Sequence, residues 1–115
     1  MKEIKAYLKK HKMDAVVFAL SKIPELTGLS VVEVKGFGRG RGKTKNAQLS
    51  AFEERLFDAP SIKLEVVCRD ELVEQIISTI VRNAHTGLRS DGKIYVSEVE
   101  NAIRISTGER GEAAV

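Results

Sequence analysis

The stretch that decides the fold is residues 31–45, VVEVKGFGRGRGKTK. Its first four positions are rich in β-branched valine, which favours a half-buried β-strand. Glycine then occupies positions 36, 38, 40 and 42 and alternates with Phe37 and with basic side chains. Each glycine widens the allowed backbone conformations and weakens regular structure. We therefore expect a rigid strand that leads into a long basic loop, with backbone N–H groups beside Arg39 that can hold an anion.

The chain has 115 residues, 43% of them hydrophobic and 30% charged, which suits one globular domain with its own core. The net charge of +3 permits an anionic ligand but does not by itself indicate nucleic acid. Cys68 is the only cysteine, so an internal disulfide is excluded and a small buried hydrophobic side chain is expected. The N-terminus has no apolar signal segment and no apolar run is long enough to span a bilayer, so we predict a soluble, cytoplasmic protein.

Hydrophobic periodicity predicts a strand and a helix before residues 31–45. Apolar and polar side chains alternate over residues 4–8, which is typical of a strand that buries one face. Asp14 is the expected N-cap of a helix that ends at Pro24, and the second strand should run over residues 29–36. The apolar stripe of this helix consists of Val16, Ala19, Leu20 and Ile23.

The same order of elements is predicted after residues 39–60. This segment has no hydrophobic period and is longer than ordinary connections, so we interpret it as a flexible functional loop, with a short helix favoured over residues 47–56. A third strand over residues 62–67, a helix capped by Asp70 and a fourth strand that starts at Lys93 complete the pattern. The shared apolar face of this second helix consists of Val73, Ile76, Ile77, Ile80, Val81 and Ala84.

Two strand–helix–strand units pack most simply as one antiparallel sheet with both helices on one face, which is a ferredoxin-like α+β sandwich. Tyr7 and Val67 would then leave apolar surface uncovered on the other sheet face, and this indicates association with other copies. We expect a single domain with a turn-rich loop at about 86–93, a C-terminal loop at about 104–115 and a flexible tail from Thr107.

Three stretches combine small residues with cations, which is typical of anion-binding sites. They are the glycine-rich strand exit at 36–39, the loop at 86–93 with Lys93, and Arg104 with its planar guanidinium. Three or four charge-assisted hydrogen bonds of about 1.5–3 kcal/mol each would be enough to hold a triphosphate. Taken singly, Lys93 and Arg104 are ordinary solvated charges, so the hypothesis depends on their combination.

The chain resembles the PII family of nitrogen-regulatory signalling proteins. The resemblance lies in residues 34–39 (VKGFGR), 86–94 (TGLRSDGKI) and 103–111 (IRISTGERG), in the order of the family and close to its spacing. It implies a ferredoxin-like homotrimer that binds ATP or ADP as an allosteric ligand in clefts between subunits. It also implies a regulator, not an enzyme, whose long loop at about 39–60 (the T-loop) acts on a target protein such as a channel, a transporter or a metabolic enzyme. Contact with a membrane would then be only indirect.

The resemblance further implies a nucleotide site that is assembled from several stretches. The residues that would meet the adenosine are Ser30, Glu65 and Val67. Those that would line the cleft at the base of the T-loop are Gly36, Gly38 and Arg39. Those that would wrap the phosphates are Ser90, Asp91, Gly92 and Lys93, which follow Thr86 and Gly87, with Arg104 reaching across from the adjacent chain.

Four departures from the family pattern bear on signalling. No tyrosine occurs between residues 36 and 60, so the usual nucleotidylylated tyrosine is missing. Gly40 replaces a glutamine and Ser61 a lysine that help to hold Mg²⁺ and 2-oxoglutarate, so we expect weak or no 2-oxoglutarate binding, whereas Mg²⁺ can still accompany ATP. Ser106 replaces an arginine, and Arg89 is our candidate for the phosphate contact that is lost.

Two other classes of function stay open at this point. The basic run at 39–45 on a ferredoxin-like sheet could bind RNA, although strands 1 and 3 offer only Tyr7 for base stacking. A purely structural trimeric adaptor would leave the cleft empty. An enzyme is not expected, because His11 and His85 lack metal-ligand spacing and neither a Walker loop nor a nucleophile elbow is present.

Overall fold

The computed structural model describes residues 1–36, 61–88 and 90–115. Within these residues, four β-strands and two α-helices follow one another in the predicted order. The helix predicted over residues 47–56 lies outside the described residues. The strands are β1 (Lys2–Lys9), β2 (Ser30–Val34), β3 (Ser61–Cys68) and β4 (Gly92–Glu98), and the helices are α1 (Met13–Ser21) and α2 (Val73–Ala84).

The four strands form one antiparallel sheet in the spatial order β2-β3-β1-β4. β1 and β3 are the central pair, and their register runs from Lys2 opposite Cys68 to Lys9 opposite Ser61. Both helices pack on the same face of this sheet and against each other. This arrangement confirms the predicted ferredoxin-like α+β sandwich.

The core lies between the two helices and the two central strands. Because side chains of a strand alternate between faces, every second residue of β1 and β3 points at the helices and is buried. Each such aliphatic side chain contributes about 1.5–3 kcal/mol to folding. The buried apolar residues are Ile4, Ala6, Leu8, Val16, Leu20, Ile23, Ile62, Leu64, Val66, Cys68, Ile76, Ile80 and Ala84.

Val81 departs from the predicted buried face of α2, because its side chain is 51% exposed. It lies beside Ile77 on the wall of an apolar groove of about 390 Å³ between α2 and the edge strand β4. Within the single chain no neighbouring strand or helix of the described part covers this groove, so the outer edge of the helical stripe stays open to solvent.

The two aspartates that were predicted to cap the helices do not cap them. A short 3₁₀ turn precedes each helix, and neither helix has a side-chain capping hydrogen bond. Asp14 lies in the first turn of α1, where negative charge is favoured by the helix dipole. Asp70 begins the turn before α2 and accepts a hydrogen bond from the Met1 ammonium at 2.9 Å, which lowers the pKa of Asp70.

The C-terminal segment is folded back on itself, although its tail was predicted to be flexible. The N–H of Gly108 donates to the carbonyl of Arg104 at 2.7 Å, and the N–H of Gly111 donates to the carbonyl of Ala102 at 2.9 Å. Both glycines have a φ of +76°, a conformation that glycine adopts without strain. The two glycines therefore make turns, and the segment closes into a compact hairpin.

We predict that Cys68 reacts slowly with thiol reagents in the folded protein. The residue is 2% exposed at the end of β3, and burial raises the pKa of its thiol. Since the thiolate is the reactive form, modification at neutral pH should be on the order of 100-fold slower in the native protein than in denaturant. Rates measured with an aromatic disulfide reagent will check this, and equal rates in the two states would contradict it.

Candidate functional site

The sheet face away from the helices carries both aromatic and charged side chains. Tyr7 on β1 and Tyr95 on β4 contact each other edge to face, with their ring centroids 6.1 Å apart. On β3 the ammonium of Lys63 lies 3.2 Å from the carboxylate of Glu65. The antiparallel register places these side chains on one surface, which we call the open face. In the single chain no described element covers it.

The carboxylate of Asp91 organises the predicted phosphate-binding loop. It accepts hydrogen bonds from the backbone N–H groups of Thr86 at 2.8 Å and Gly87 at 3.0 Å, and from the hydroxyl of Thr86. These bonds, the one from the hydroxyl most of all, hold the pKa of Asp91 well below its usual range. An ionised carboxylate therefore ties the start of the loop to its end.

Two further side chains reach Asp91. Lys9 is the last residue of β1, and its ammonium lies 3.3 Å from Asp91 Oδ1 and donates to the hydroxyl of Thr86 at 3.2 Å. His85 Nδ1 lies 3.4 Å from Asp91 Oδ2. Lys9 was not predicted from the sequence, because its contact depends on the pairing of β1 with β4. The signal that could have identified Lys9 is a lysine at the end of the first strand, which an antiparallel pairing places beside the start of the last strand.

Gly92 lets β4 begin directly against β1. Its φ is +111°, and a Cβ at this position would collide with the carbonyl oxygen of Tyr7. Because only glycine fits, the chain can turn sharply after Asp91 and enter the sheet at once. The next residue, Lys93, is then fixed opposite Tyr7 as an exposed cation at the sheet edge.

The three residues predicted to meet the adenosine line one cavity at the other end of the sheet. Ser30 pairs directly with Glu65, and Val67 lies two residues further along the same face of β3. The cavity has a volume of about 450 Å³, and Gly28 and Val115 form part of its wall. This volume is within the usual range of small-molecule sites, about 300–1,000 Å³.

This cavity and the phosphate-binding loop are separated by most of the sheet. Val67 pairs with Glu3 near the start of β1, whereas Gly92 pairs with Leu8 near its end. From residue 3 to residue 8 the strand rises about 17 Å, and crossing from β3 to β4 adds about 10 Å sideways, so the direct separation of Val67 and Gly92 is roughly 20 Å. One chain therefore brings each half of the predicted site together but keeps the halves apart.

Gly36 and Arg104 belong to different halves. Gly36 follows β2 at the end of the sheet where Ser61 pairs with Lys9, which is also the end that carries the phosphate-binding loop. Arg104 lies in the C-terminal hairpin, where its guanidinium donates to the carbonyl of Ala113 at 3.2 Å. The last residues of that hairpin line the cavity of Ser30, so Arg104 lies with the adenosine half.

Three predicted positions, Gly38, Arg39 and Arg89, lie outside the described residues. Among the residues that are described, no group of three or more His, Cys, Asp or Glu side chains could hold a metal ion. In the same ranges, neither α-helix combines the length and the apolar character that are needed to cross a bilayer.

Comparison with known proteins agrees with this architecture. The family model described as "Nitrogen regulatory protein P-II" matches residues 1–109. The protein named "Nitrogen regulatory protein P-II" in Haemophilus influenzae is 47% identical over 116 residues, and the one in Klebsiella oxytoca is 44% identical, with 100% of each chain covered. "Nitrogen regulatory protein P-II 1" of Escherichia coli K12 is 44% identical with the same coverage. The chain therefore belongs to the P-II family of nitrogen regulatory proteins, which are signal-transduction regulators and not enzymes.

Proposed function

We propose that this regulator senses ATP and ADP in clefts between the subunits of a homotrimer and signals to a target protein in the cytoplasm. The observation that carries the proposal is the separation of the two half-sites within one chain. The cavity lined by Ser30, Glu65 and Val67 and the groove beside Asp91, Gly92 and Lys93 are separate pockets of the described chain. A second copy would then supply the other half, and a head-to-tail contact of this kind forms a ring when the rotation between copies closes.

The loop half supplies the contacts for phosphate. Lys93 is exposed and carries the positive charge, and Ser90 offers a hydroxyl in the turn that precedes β4. Asp91 is engaged by the N–H groups of Thr86 and Gly87. We therefore assign Asp91 the task of holding the loop in shape, in place of the direct phosphate contact that the family resemblance implied.

The cavity half supplies the contacts for adenosine. Val67 offers an apolar side chain to a base, while the hydroxyl of Ser30 and the carboxylate of Glu65 can bind its polar groups or the ribose. Arg104 belongs to this half, so in the assembled ring its guanidinium would reach the phosphates held by the neighbouring chain. Its position supports the contact from an adjacent chain that the family resemblance implies.

Exposed apolar side chains support the assembly. Ile105 at the tip of the C-terminal hairpin is 101% exposed, Ile103 is 51% exposed, and Tyr95 on the open face is 54% exposed. Large apolar side chains that a single chain leaves in solvent are candidates for burial in an interface. Packing of neighbouring copies would cover the open face and these isoleucines together.

The proposed output is the long segment between β2 and β3. Gly36 lies at the phosphate end, so the γ-phosphate that distinguishes ATP from ADP would bind beside the start of this segment. A coupling of about 1–3 kcal/mol would change target affinity about 5- to 150-fold. A transporter, a channel or a metabolic enzyme is the proposed target, and Mg²⁺ would arrive with ATP.

2-Oxoglutarate is not a ligand in this proposal. Ser61 is only 5% exposed and carries no positive charge, so the dianion would lack the opposing charge that a lysine supplies in the family. RNA binding is also not favoured, because the aromatic side chains of the described open face, Tyr7 and Tyr95, already contact each other edge to face and offer little surface for base stacking.

Lys93→Ala tests the assigned phosphate contact. Calorimetry with the wild type should show binding of both ATP and ADP, and the variant should bind ATP at least about tenfold more weakly, because it loses a charge-assisted hydrogen bond. Lys22→Ala on the far side of α1, where the lysine contacts Phe18, is the matched control and should bind normally. Sedimentation should give the mass of three copies. A monomeric wild type, or one that releases no heat with either nucleotide, would refute the proposal.

A further inference from the structure

We propose that Lys9 is a positioning residue of the phosphate-binding loop, which cancels the charge of Asp91 so that Lys93 can attract phosphate. The inference rests on the proposed nucleotide site and deepens it. Lys9 lies in none of the stretches on which the family resemblance depends, and the reason to single it out is its geometry alone.

The backbone fixes Lys9 on both sides. Its Cα is opposite Ser61 in β3, and the preceding residue, Leu8, is opposite Gly92 in β4. The pairing of β1 with both neighbouring strands therefore fixes the backbone position from which the Lys9 side chain extends. Its ammonium lies 3.3 Å from Asp91 and 3.2 Å from the hydroxyl of Thr86, so one cation contacts both ends of the loop.

The pair is shielded from solvent more than an ordinary surface ion pair. The side chains of Lys9 and Asp91 are 18% and 21% exposed. By contrast, the neighbouring pair of Lys10 and Glu33 is 52% and 65% exposed. Shielding strengthens the attraction between the charges of Lys9 and Asp91. It also means that Lys9 acts through the loop and leaves direct contact with a ligand to exposed groups.

The charge balance around the loop shows what Lys9 contributes. The charged or titratable groups that face Asp91 are Lys9 and His85, and Lys93 follows two residues later. With Lys9 present, its positive charge cancels the negative charge of Asp91. The positive charge of Lys93 then remains available to attract an anion. Without Lys9, the carboxylate of Asp91 offsets Lys93, and an incoming phosphate meets a site with one positive charge fewer.

Lys9→Met in the full-length assembled protein separates this charge effect from a general loss of structure. Calorimetry should show adenosine binding within about twofold of the wild type, ADP binding weakened roughly tenfold and ATP binding weakened roughly thirtyfold, since the loss grows with the number of phosphate charges. Lys9→Arg should restore most of the ATP affinity. Lys10→Met, which removes only the exposed pair with Glu33, is the matched control and should leave all three affinities unchanged.

The possible outcomes distinguish the inference from the function on which it rests. If the wild type binds no nucleotide, the proposed function and this inference fail together. If the wild type binds but Lys9→Met binds ATP as tightly, or loses adenosine and ATP equally, only the inference is overturned. Lys9→Gln, which keeps a hydrogen-bond donor without charge, must give the same graded loss, so the test stands even if the methionine variant folds poorly.

Discussion

Substitution of Gly92 by alanine should destabilise the protein by about 3 kcal/mol or more and abolish nucleotide binding. At a φ of +111° a side chain is strained, and its Cβ would collide with the carbonyl oxygen of Tyr7. That oxygen belongs to the backbone of β1, which is paired on both sides and cannot move away. Relief is possible only if the first residues of β4 leave the sheet, and Lys93 would leave with them.

Urea unfolding at a fixed protein concentration will measure the loss, because the stability of an assembled protein depends on concentration. Gly28→Ala is a suitable control, since a Cβ there would meet no atom within 4 Å. It should unfold within about 1 kcal/mol of the wild type. A Gly92→Ala protein with the unfolding midpoint of the wild type would show that the start of β4 is not held as described.

The second large effect is expected from Asp91→Ala, which should weaken ATP binding on the order of 100-fold. The substitution removes the acceptor for the N–H groups of Thr86 and Gly87 and leaves the ammonium of Lys9 without its carboxylate partner. The loop then loses the contact that closes it. Titration calorimetry checks the affinity, and Asp14→Ala, at an exposed position of α1, should bind ATP normally.

The depressed pKa of Asp91 sets the direction of the pH dependence. Its stabilising contribution is fully present above the ordinary aspartate pKa of about 3.9, and it is lost only as the pH falls through the lower pKa of the folded state. The amide resonances of Thr86 and Gly87 should therefore stay at their neutral-pH positions down to about pH 4. A titration midpoint at or above the ordinary value would contradict the closed loop.

Hydrophobic patterns within short stretches of the sequence were sufficient to predict the sheet and the core. Alternation in β1 and β3 and the helical stripes from Val16 and from Ile76 predict the elements, because burial of one face decides each of them. The predicted caps failed because a 3₁₀ turn before each helix replaces a side-chain cap, and Asp70 has the Met1 ammonium as an alternative partner. Such a partner is distant in sequence and close only in the fold.

The family resemblance implies the members of the proposed site but not its layout. The resemblance implies roles for Ser30, Glu65 and Lys93, yet a linear sequence gives no indication that the first two lie across the sheet from the third. The structural task of Asp91 and the contact with Lys9 both depend on the register of β1 with β4. Register is a property of paired strands, so no single stretch contains it.

The central strand has a consequence for communication among the sites. β1 begins beside the proposed adenosine cavity and ends at the proposed phosphate-binding loop. In the proposed ring, β1 of each subunit would therefore connect two adjacent clefts. In the proposed trimer, the two half-sites of one subunit would therefore face two different clefts and be joined by one continuous strand.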